Sequence, residues 1–337
     1  MNDYIRPGHG SGGKLMHELI HDIFFRHFGH HELKKGSDSA LLQSNGHRLA
    51  FTTDSFVVNP LFFPGGDIGK LAVCGTVNDL AVCGAIPQYL SAGFILEEGF
   101  SIAELEKIVI SMAREAKNSG VNIVTGDTKV VHKGMADKLF INTSGIGYIP
   151  EYAGSFANNR KIKKGDVLII NGTLGDHAIA VLSEREDLPF QSTIKSDCAC
   201  LNHLIHSLLE KKLHIKFMRD LTRGGLATCL NEIAQAQAID IEINETRIPV
   251  KASVEGICET LGFDPLYLAN EGKVVIIVSA EDASEVIETL KADDLGKEST
   301  IIGKVTSENG KKVIAESAIG GKRLLQMRTG EQLPRIC

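Results

Sequence analysis

Four aspartates in the first half of the chain stand beside or inside apolar sequence, where an uncompensated carboxylate is costly. Asp38 lies in SDSALL, Asp54 in AFTTDSFVV, Asp79 in GTVNDLAVCGA with Asn78 beside it, and Asp127 in IVTGDTKVV. One such aspartate is usually a cap or a turn former. Four of them point to a shared cation, because a few carboxylates are how Mg²⁺ is held beside nucleotide phosphates. Near the N-terminus, GHGSGGK (8–14) fits G-x-G-x-x-G through Gly8, Gly10 and Gly13, and G-x-x-x-x-G-K through Gly8 to Lys14. Both patterns need a preceding strand, and only a short segment with a proline precedes this loop; Leu15 also stands where a P-loop needs Ser or Thr. What remains is either glycine amides that lead into a helix and can wrap a phosphate, or a disordered arm.

The chain ends on a nucleophile, Cys337, in LPRIC. The other cysteines are Cys74, Cys83, Cys198, Cys200, Cys229 and Cys258, and their spacing matches neither a disulfide framework nor a zinc site. Cys198 and Cys200 fall in a helical pattern, in which residues two apart face away from each other. These six thiols read as small buried hydrophobes of a cytoplasmic protein. Taken alone, Cys337 is an exposed tail thiol; the segment from Arg328 onward, stiffened by Pro334, spans roughly 30 Å at ~3.3 Å per residue.

The elements that must position these residues follow from periodicity. Apolar residues at helical spacing predict a helix over 14–28 that stops at Gly29. Strands are expected at 48–58, 88–96, 121–131 and 138–149, with helices at about 68–83 and from the Ser101/Glu104 capping box to Gly120. The polar segment 151–165 marks a domain boundary. Beyond it come the strand DVLIING, a turn into a helix in GTLGDHAIAVL (172–182), helices at about 197–210 and 223–237, strands at 239–243 and 273–279, the helix EDASEVIETLKAD, and two short strands near 300–316. Helices and strands alternate throughout, which predicts a two-domain α/β or α+β architecture. The divisions are an arm and helix (1–35), a first domain (36–155), a second domain (156–325) and a flexible tail (326–337). With 43% hydrophobic and 23% charged residues the composition is that of a soluble globular protein. The net charge is −6, without a basic block, which argues against nucleic acid or an acidic membrane surface as the main partner. No apolar run is long enough to span a bilayer, and the N-terminus lacks the apolar core of a signal peptide.

The aspartate quartet with its glycine-rich arm resembles the superfamily of aminoimidazole-ribonucleotide (AIR) synthetase, selenophosphate synthetase and thiamine-phosphate kinase. RDLTRGGLATCLNEIA (219–234) is similar to that superfamily's second signature. Within it, HGSGGK, FTTDSFVV, PLFFPGGDIGKLAVCGTVNDLAV, LSAGFILEEG, VTGDTKVV, DKLFINT, GTLGDH, ANEGK and LPRIC resemble the HypE-type hydrogenase-maturation proteins over essentially the whole chain. The selenophosphate branch carries a reactive residue in its glycine arm, and GHGSGG has no cysteine.

The resemblance implies a PurM-like, AIR-synthase-related fold whose N-terminal sheets pair into a barrel across a homodimer. It implies ATP and Mg²⁺ as cofactors, with the metals on Asp38, Asp54, Asp79 and Asp127. His9, Gly10, Gly12 and Gly13 would cover the nucleotide. Asn78, Thr128, Lys129, Asp220, Arg223, Gly224 and Gly225 would complete its site, Lys129 and Arg223 as phosphate contacts. Lys133 and Lys138 are further cations, although Lys138 reads better as a surface residue at a strand start. By the same resemblance, Cys337 receives a carbamoyl group from the carbamoyltransferase HypF, the S-carboxamide is dehydrated to a thiocyanate, and the cyanide passes to a HypC–HypD complex bearing the hydrogenase iron. Glu271, in the loop ANEGK before a buried strand, is the candidate base. Two other readings stay open: a related enzyme that phosphorylates a small substrate, and a non-catalytic carrier of carbamoyl or cyano groups.

Overall fold

The computed structural model describes residues 4–28, 31–32, 35, 37–44, 46–157, 161–185, 192–211, 213–328, 333 and 335–337. The expected stop at Gly29 and the stiffening at Pro334 lie outside them. The first helix is present, though not as one regular α-helix. Helix α1 (Lys14–Leu19) runs into a π-helical stretch, Ile20–Phe25, and a last turn, α2 (Arg26–Phe28).

The first half then contains β1 (Ala40–Ser44), β2 (His47–Phe56), a small hairpin of β3 (Phe62–Phe63) and β4 (Gly66–Asp67), α3 (Ile68–Val82), β5 (Ile86–Glu97), α4 (Ile102–Ser119), β6 (Asn122–Val131) and β7 (Leu139–Tyr148). Its sheet has the order β1-β2-β7-β5-β6, one strand more than the sequence suggests, with β5 and β6 parallel and the other pairs antiparallel. The parallel pair needs a crossover, which α4 supplies. Ser101 caps α4 through its Oγ, and Gly120 ends it in the left-handed conformation, as the capping box predicts. Helix α3 is buried on nearly every side, because the sheet lies on one flank and the second half of the chain on the other. Among the described residues, the opposite face of the sheet carries no helix. Phe51, Tyr89, Ile95 and Tyr148 are exposed on the sheet, and so is β6 along most of its length.

The second half comprises α5 (Gly154–Ala157), β8 (Val167–Ile170), α6 (Asp176–Leu182), α7 (Asn202–Glu210), β9 (Ile215–Asp220), α8 (Gly225–Gln237), β10 (Asp240–Asn244), α9 (Ala252–Leu261), β11 (Val274–Val278), α10 (Ala283–Lys291), β12 (Thr300–Ser307), β13 (Val313–Glu316) and β14 (Lys322–Leu325). Seven strands form a sheet of order β14-β13-β10-β12-β8-β11-β9, in which β10 and β13 are parallel. Strand β11 lies between β8 and the edge strand β9, and all five of its residues are buried, as an unbroken apolar run requires. Strands β9 and β14 and helices α5 and α9 are additions to the elements expected from periodicity. The helix expected from 197 begins only at Asn202, so Cys198 and Cys200 belong to an irregular segment. Among the described residues, no helix is long and apolar enough to cross a membrane.

Candidate active site

Three expected ligands converge at the junction of the two halves, and a fourth carboxylate joins them. Asp38 precedes β1, Asp54 is on β2, Asp79 is on the last turn of α3, and Asp220 ends β9. Thr52 Oγ1 lies 2.8 Å from Asp79 Oδ2, and the Ser55 amide donates to Asp54 Oδ1 at 2.8 Å. Burial pushes the Asp79 carboxyl well above the usual range, and repulsion from Asp220, Asp54 and Asp38 adds to it. Asp220 is pushed up to about 8, again chiefly by burial and then by Asp38. Two arginines answer this charge. Arg219 donates from Nε to Asp38 Oδ1 at 2.9 Å and from its terminal nitrogen to Glu232 Oε2 at 2.8 Å, and Glu232 Oε1 lies 2.7 Å from His17 Nε2. Arg223 approaches Asp54 at 4.0 Å.

Asp127 does not join this group. Across the sheet, Asp54 pairs with Thr143, Thr143 with Ala92, and Ala92 with Gly126. Three strand spacings therefore separate Asp54 from the neighbour of Asp127, roughly 14 Å. Because directly paired residues share a face, Asp127 points to the helix-free side, with Gly93 and Asn142. There it makes an exposed ion pair with Lys129 at 3.2 Å. Thr128 is exposed on the same edge strand, and Lys133 and Lys138 are exposed beyond it, Lys138 just before β7.

The glycine arm folds back over the second half. The Lys14 amide donates to the Arg328 carbonyl at 3.0 Å. A Cβ on Gly13 would collide with that carbonyl, and Gly12, at φ +78°, packs on the Arg223 backbone. Gly10 and Gly13 line a cleft of about 200 Å³ with Arg223, Gly224 and Cys337. Gly12 and Gly225 line a second cleft of about 540 Å³ with Asp38, Arg219, Asp220 and Arg223. Arg223 thus separates a thiol cleft from an acidic cleft. Gly225 is required where it stands: φ is +59°, and a Cβ would come within 2.5 Å of the Leu268 carbonyl. His9 turns aside, its Nδ1 accepting the Arg6 amide at 2.9 Å. Asn78 is also committed elsewhere. Its Nδ2 donates to the Ala199 carbonyl at 3.0 Å, and its Oδ1 accepts from the Leu201 amide at 2.7 Å, so it ties α3 to the second half.

The described end of the chain, 335–337, is docked inward. The Val57 amide donates to the Cys337 carbonyl at 3.3 Å and the Asn59 amide to the Arg335 carbonyl at 3.1 Å. His177 Nε2 meets the Ile336 carbonyl at 2.8 Å, and Arg335 pairs with Asp137. Burial pushes the Cys337 thiol up, against the pull of Arg223; Glu271, Asp54 and Asp220 act on it in the same sense as burial. Glu271 is buried close to Arg223 and Cys337. Its carboxyl is held well above the usual range by burial first, then by Asp220, Asp197 and Asp54, and Oε1 has no hydrogen-bond partner among the described residues. The loop that presents it is braced by Asp197, which accepts the Glu271 amide at 3.1 Å and pairs with Lys273 at 3.0 Å.

Arg219, Glu232, His17 and Asp197 escaped sequence reasoning. The signal for Glu232 was available, since Gly225, Cys229 and Glu232 recur at helical spacing on one face of α8. For Asp197, chain order gives no hint that it reaches Glu271.

The arrangement matches known proteins along its full length. The family models for AIR synthase related protein match residues 36–149 (N-terminal domain) and 163–316 (C-terminal domain). The chain is 50% identical to carbamoyl dehydratase HypE of Rhodobacter capsulatus, with 100% of this chain and 99% of that protein covered. It is 47% identical to carbamoyl dehydratase HypE of Escherichia coli K12, with 99% of each covered. A hydrogenase maturation protein HypE solved in complex with ATP superposes with a TM-score of 0.80 at 46% identity, over 99% of this chain and 100% of that one. The chain matched in a HypE–HypF complex gives 0.86 at 48% identity, over 92% and 99%. A thiamine monophosphate kinase from Aquifex aeolicus, at 17% identity and a TM-score of 0.65, shares the fold. With close to half its residues shared end to end with these proteins, the chain belongs to the HypE carbamoyl dehydratases of the AIR synthase-related family.

Proposed function

We propose that this protein dehydrates a carbamoyl group carried on its own Cys337 to a thiocyanate, at the expense of ATP. The observation that carries the reading is the docked chain end: the Cys337 thiol sits in one cleft, an acidic cleft lies across Arg223, and the buried carboxyl of Glu271, whose Oε1 has no hydrogen-bond partner among the described residues, is close enough to act on Cys337 and Arg223. An amide does not lose water readily, because oxide is a poor leaving group. In the proposed sequence the carboxamide oxygen attacks the γ-phosphate, ADP leaves, and the first N–H proton is lost to give an S-linked imidate phosphate. Loss of phosphate with the second N–H proton then gives –S–C≡N. Glu271 takes a proton from nitrogen; its burial raises its affinity for that proton. Arg223 faces both clefts and meets phosphate charge, and Gly12 and Gly13 bring backbone amides to the same place.

Asp54, Asp79 and Asp220 are crowded oxygen donors whose mutual repulsion a divalent cation would relieve, so the set fits Mg²⁺. When bound, Mg²⁺ supplies neutralisation of phosphate charge. Asp38 serves the group while held by Arg219. Asp127 enters through a homodimer in which the helix-free sheet faces close on each other and the edge strand β6, bearing Asp127, Thr128 and Lys129, reaches past the partner's sheet toward its carboxylates. The exposed aromatics on that face support this pairing.

HypF is proposed as the carbamoyl donor, because a similar chain is solved in complex with it. A HypC–HypD complex as cyanide acceptor follows from family membership alone. A cytoplasmic location accords with seven free thiols. An enzyme acting on a small diffusible substrate would have no use for a terminal cysteine seated in the cleft.

The test is intact mass spectrometry of the carbamoylated protein with and without Mg-ATP. The expected result is loss of the mass of one water, on the C-terminal peptide only. Loss on another cysteine, or loss persisting in Cys337→Ala, would end this reading.

A further inference from the structure

Three internal thiols meet at one point that the dehydration does not use. Cys74 is fully buried on α3, one turn before Asn78. Cys198 and Cys200 come from the irregular segment before α7, and both turn toward it. Cys200 Sγ is 3.5 Å from Cys74 Sγ, and the Cys198 thiol is also hydrogen-bonded to Cys74. Glu115 of α4 closes the group, one carboxylate oxygen and the Sγ atoms of Cys74 and Cys200 all lying within 4.8 Å of one another. A helical C-x-C would have splayed its thiols. The irregular backbone lets both reach one partner.

Two chemistries suit converging thiols, and the geometry separates them. A disulfide needs the sulfurs at about 2.05 Å, would leave the third thiol idle, and requires an ionised attacking thiol. Burial holds Cys74 protonated; the hydrogen bond from Cys74 pulls Cys198 down, but burial together with the charges of Glu271 and Cys200 leaves it raised as well. Two thiolates on one tetrahedral zinc ion, each about 2.3 Å from the metal, stand about 3.8 Å apart. The 3.5 Å separation of Cys74 and Cys200 is close to that figure and far from a disulfide.

We propose that Cys74, Cys200 and Glu115 form the core of a structural binding site for a single thiophilic divalent cation of the zinc class, with Cys198, hydrogen-bonded to Cys74, swinging in as the fourth ligand. Binding releases the three thiol protons to solvent and leaves a net double negative charge, as at a four-cysteine zinc site. Lys70, close enough to act on Cys198, offsets part of it. Cys200 and Glu115 are partly exposed and give the ion a way in. The bound ion joins α3 and α4 of the first half to a segment of the second half. It does so beside the Asn78 clamp and behind the loop that presents Glu271.

The test uses the full chain with Cys337→Ala, so that the terminal thiol contributes nothing. Excess Mg²⁺ occupies the carboxylate cluster, and Co²⁺ serves as the probe. The expected result is a single tightly held Co²⁺ per chain, with near-ultraviolet sulfur-to-cobalt charge-transfer absorption, strong four-coordinate visible bands, and displacement by Zn²⁺. Cys200→Ser should weaken the charge-transfer band and lower cobalt affinity at least tenfold, Glu115→Gln should keep that band but shift the visible bands, and Cys258→Ser should change neither. Absence of a charge-transfer band in the parent chain overturns the proposal, whatever the variants do. The same band at the same affinity in Cys200→Ser, with its melting curve showing a folded chain, overturns it as well.

Discussion

The carboxylates at the acidic cleft and Asp127 on the open sheet face are alike in type and in sequence setting, yet the fold gives them opposite surroundings. Asp79 is enclosed, and burial together with three neighbouring acids drives its carboxyl far up. Asp127 is exposed, and the Lys129 ammonium with the Thr128 amide holds its carboxyl below the usual range. The first site stores repulsion that a cation can relieve. The second gains little in a single chain, since water screens an exposed ion pair. A buried cluster is therefore a site in its own right, whereas an exposed acid on a bare sheet becomes one only when another surface covers it.

The largest expected effect comes from the buried side of this comparison. Glu271→Gln removes the proton acceptor while conserving volume, so dehydration should slow by about 10²–10⁴-fold with ATP binding nearly intact. Single-turnover kinetics with a separate nucleotide titration decides the matter. A variant that loses only nucleotide affinity would assign Glu271 to binding and leave the base elsewhere.

The next effect tests whether the two sides are one site. Asp54→Asn and Asp127→Asn should each lower Mg-ATP turnover about 100-fold, if both reach phosphate-bound charge. In a homodimer whose sites combine Asp54 of one chain with Asp127 of the other, mixing the two variants regenerates one intact site in each mixed dimer. Turnover should then recover to about a quarter of normal after random exchange. No recovery, although mass measurements show mixed dimers, would place both residues in a site within one chain. A clean monomer at all ionic strengths would remove the barrel with it.

What the sequence disclosed follows the same division. Long periodic elements were legible: α4 has its cap and its left-handed glycine, and β11 is as buried as its apolar run demands. Strand β9 was missed because IKFMRD breaks its apolar alternation with Lys216, Arg219 and Asp220, the very charges that serve the site. Helix α9 was missed because it is short and carries Gly256 in its middle. The carboxylate quartet was legible as residue types. Which face of the sheet Asp127 occupies depends on strand order and register, which no local pattern encodes. The meeting of Cys74 with Cys198 and Cys200 was hidden by a spacing that mimicked a helix.

The smallest effect concerns the tail, and it carries the contrast between buried and exposed groups to a histidine. His177 of α6 is fully buried; its Nε2 is 2.8 Å from the Ile336 carbonyl and its Nδ1 2.8 Å from Ser196 Oγ. A neutral ring satisfies both, donating from Nε2 and accepting at Nδ1. Burial holds the imidazole below its ordinary value, although Asp197 and the Ile336 carbonyl pull the other way. With its pKa depressed in the folded chain, this histidine stabilises the folded seat of the Ile336 carbonyl fully above the free value of about 6.5, and that contribution is lost as pH falls through the depressed value. The one-proton limit is about tenfold per pH unit. Hydrogen exchange at the Asn59 amide, which donates to the Arg335 carbonyl, reports docking once intrinsic rates are divided out. Its protection should fall between about pH 7.5 and about pH 5.5 in the natural chain. In His177→Gln, which keeps a donor and an acceptor but takes up no proton, it should stay level over the same range. An equal fall in both chains would release His177 from this role and leave the tail held by Arg335 and its backbone bonds alone.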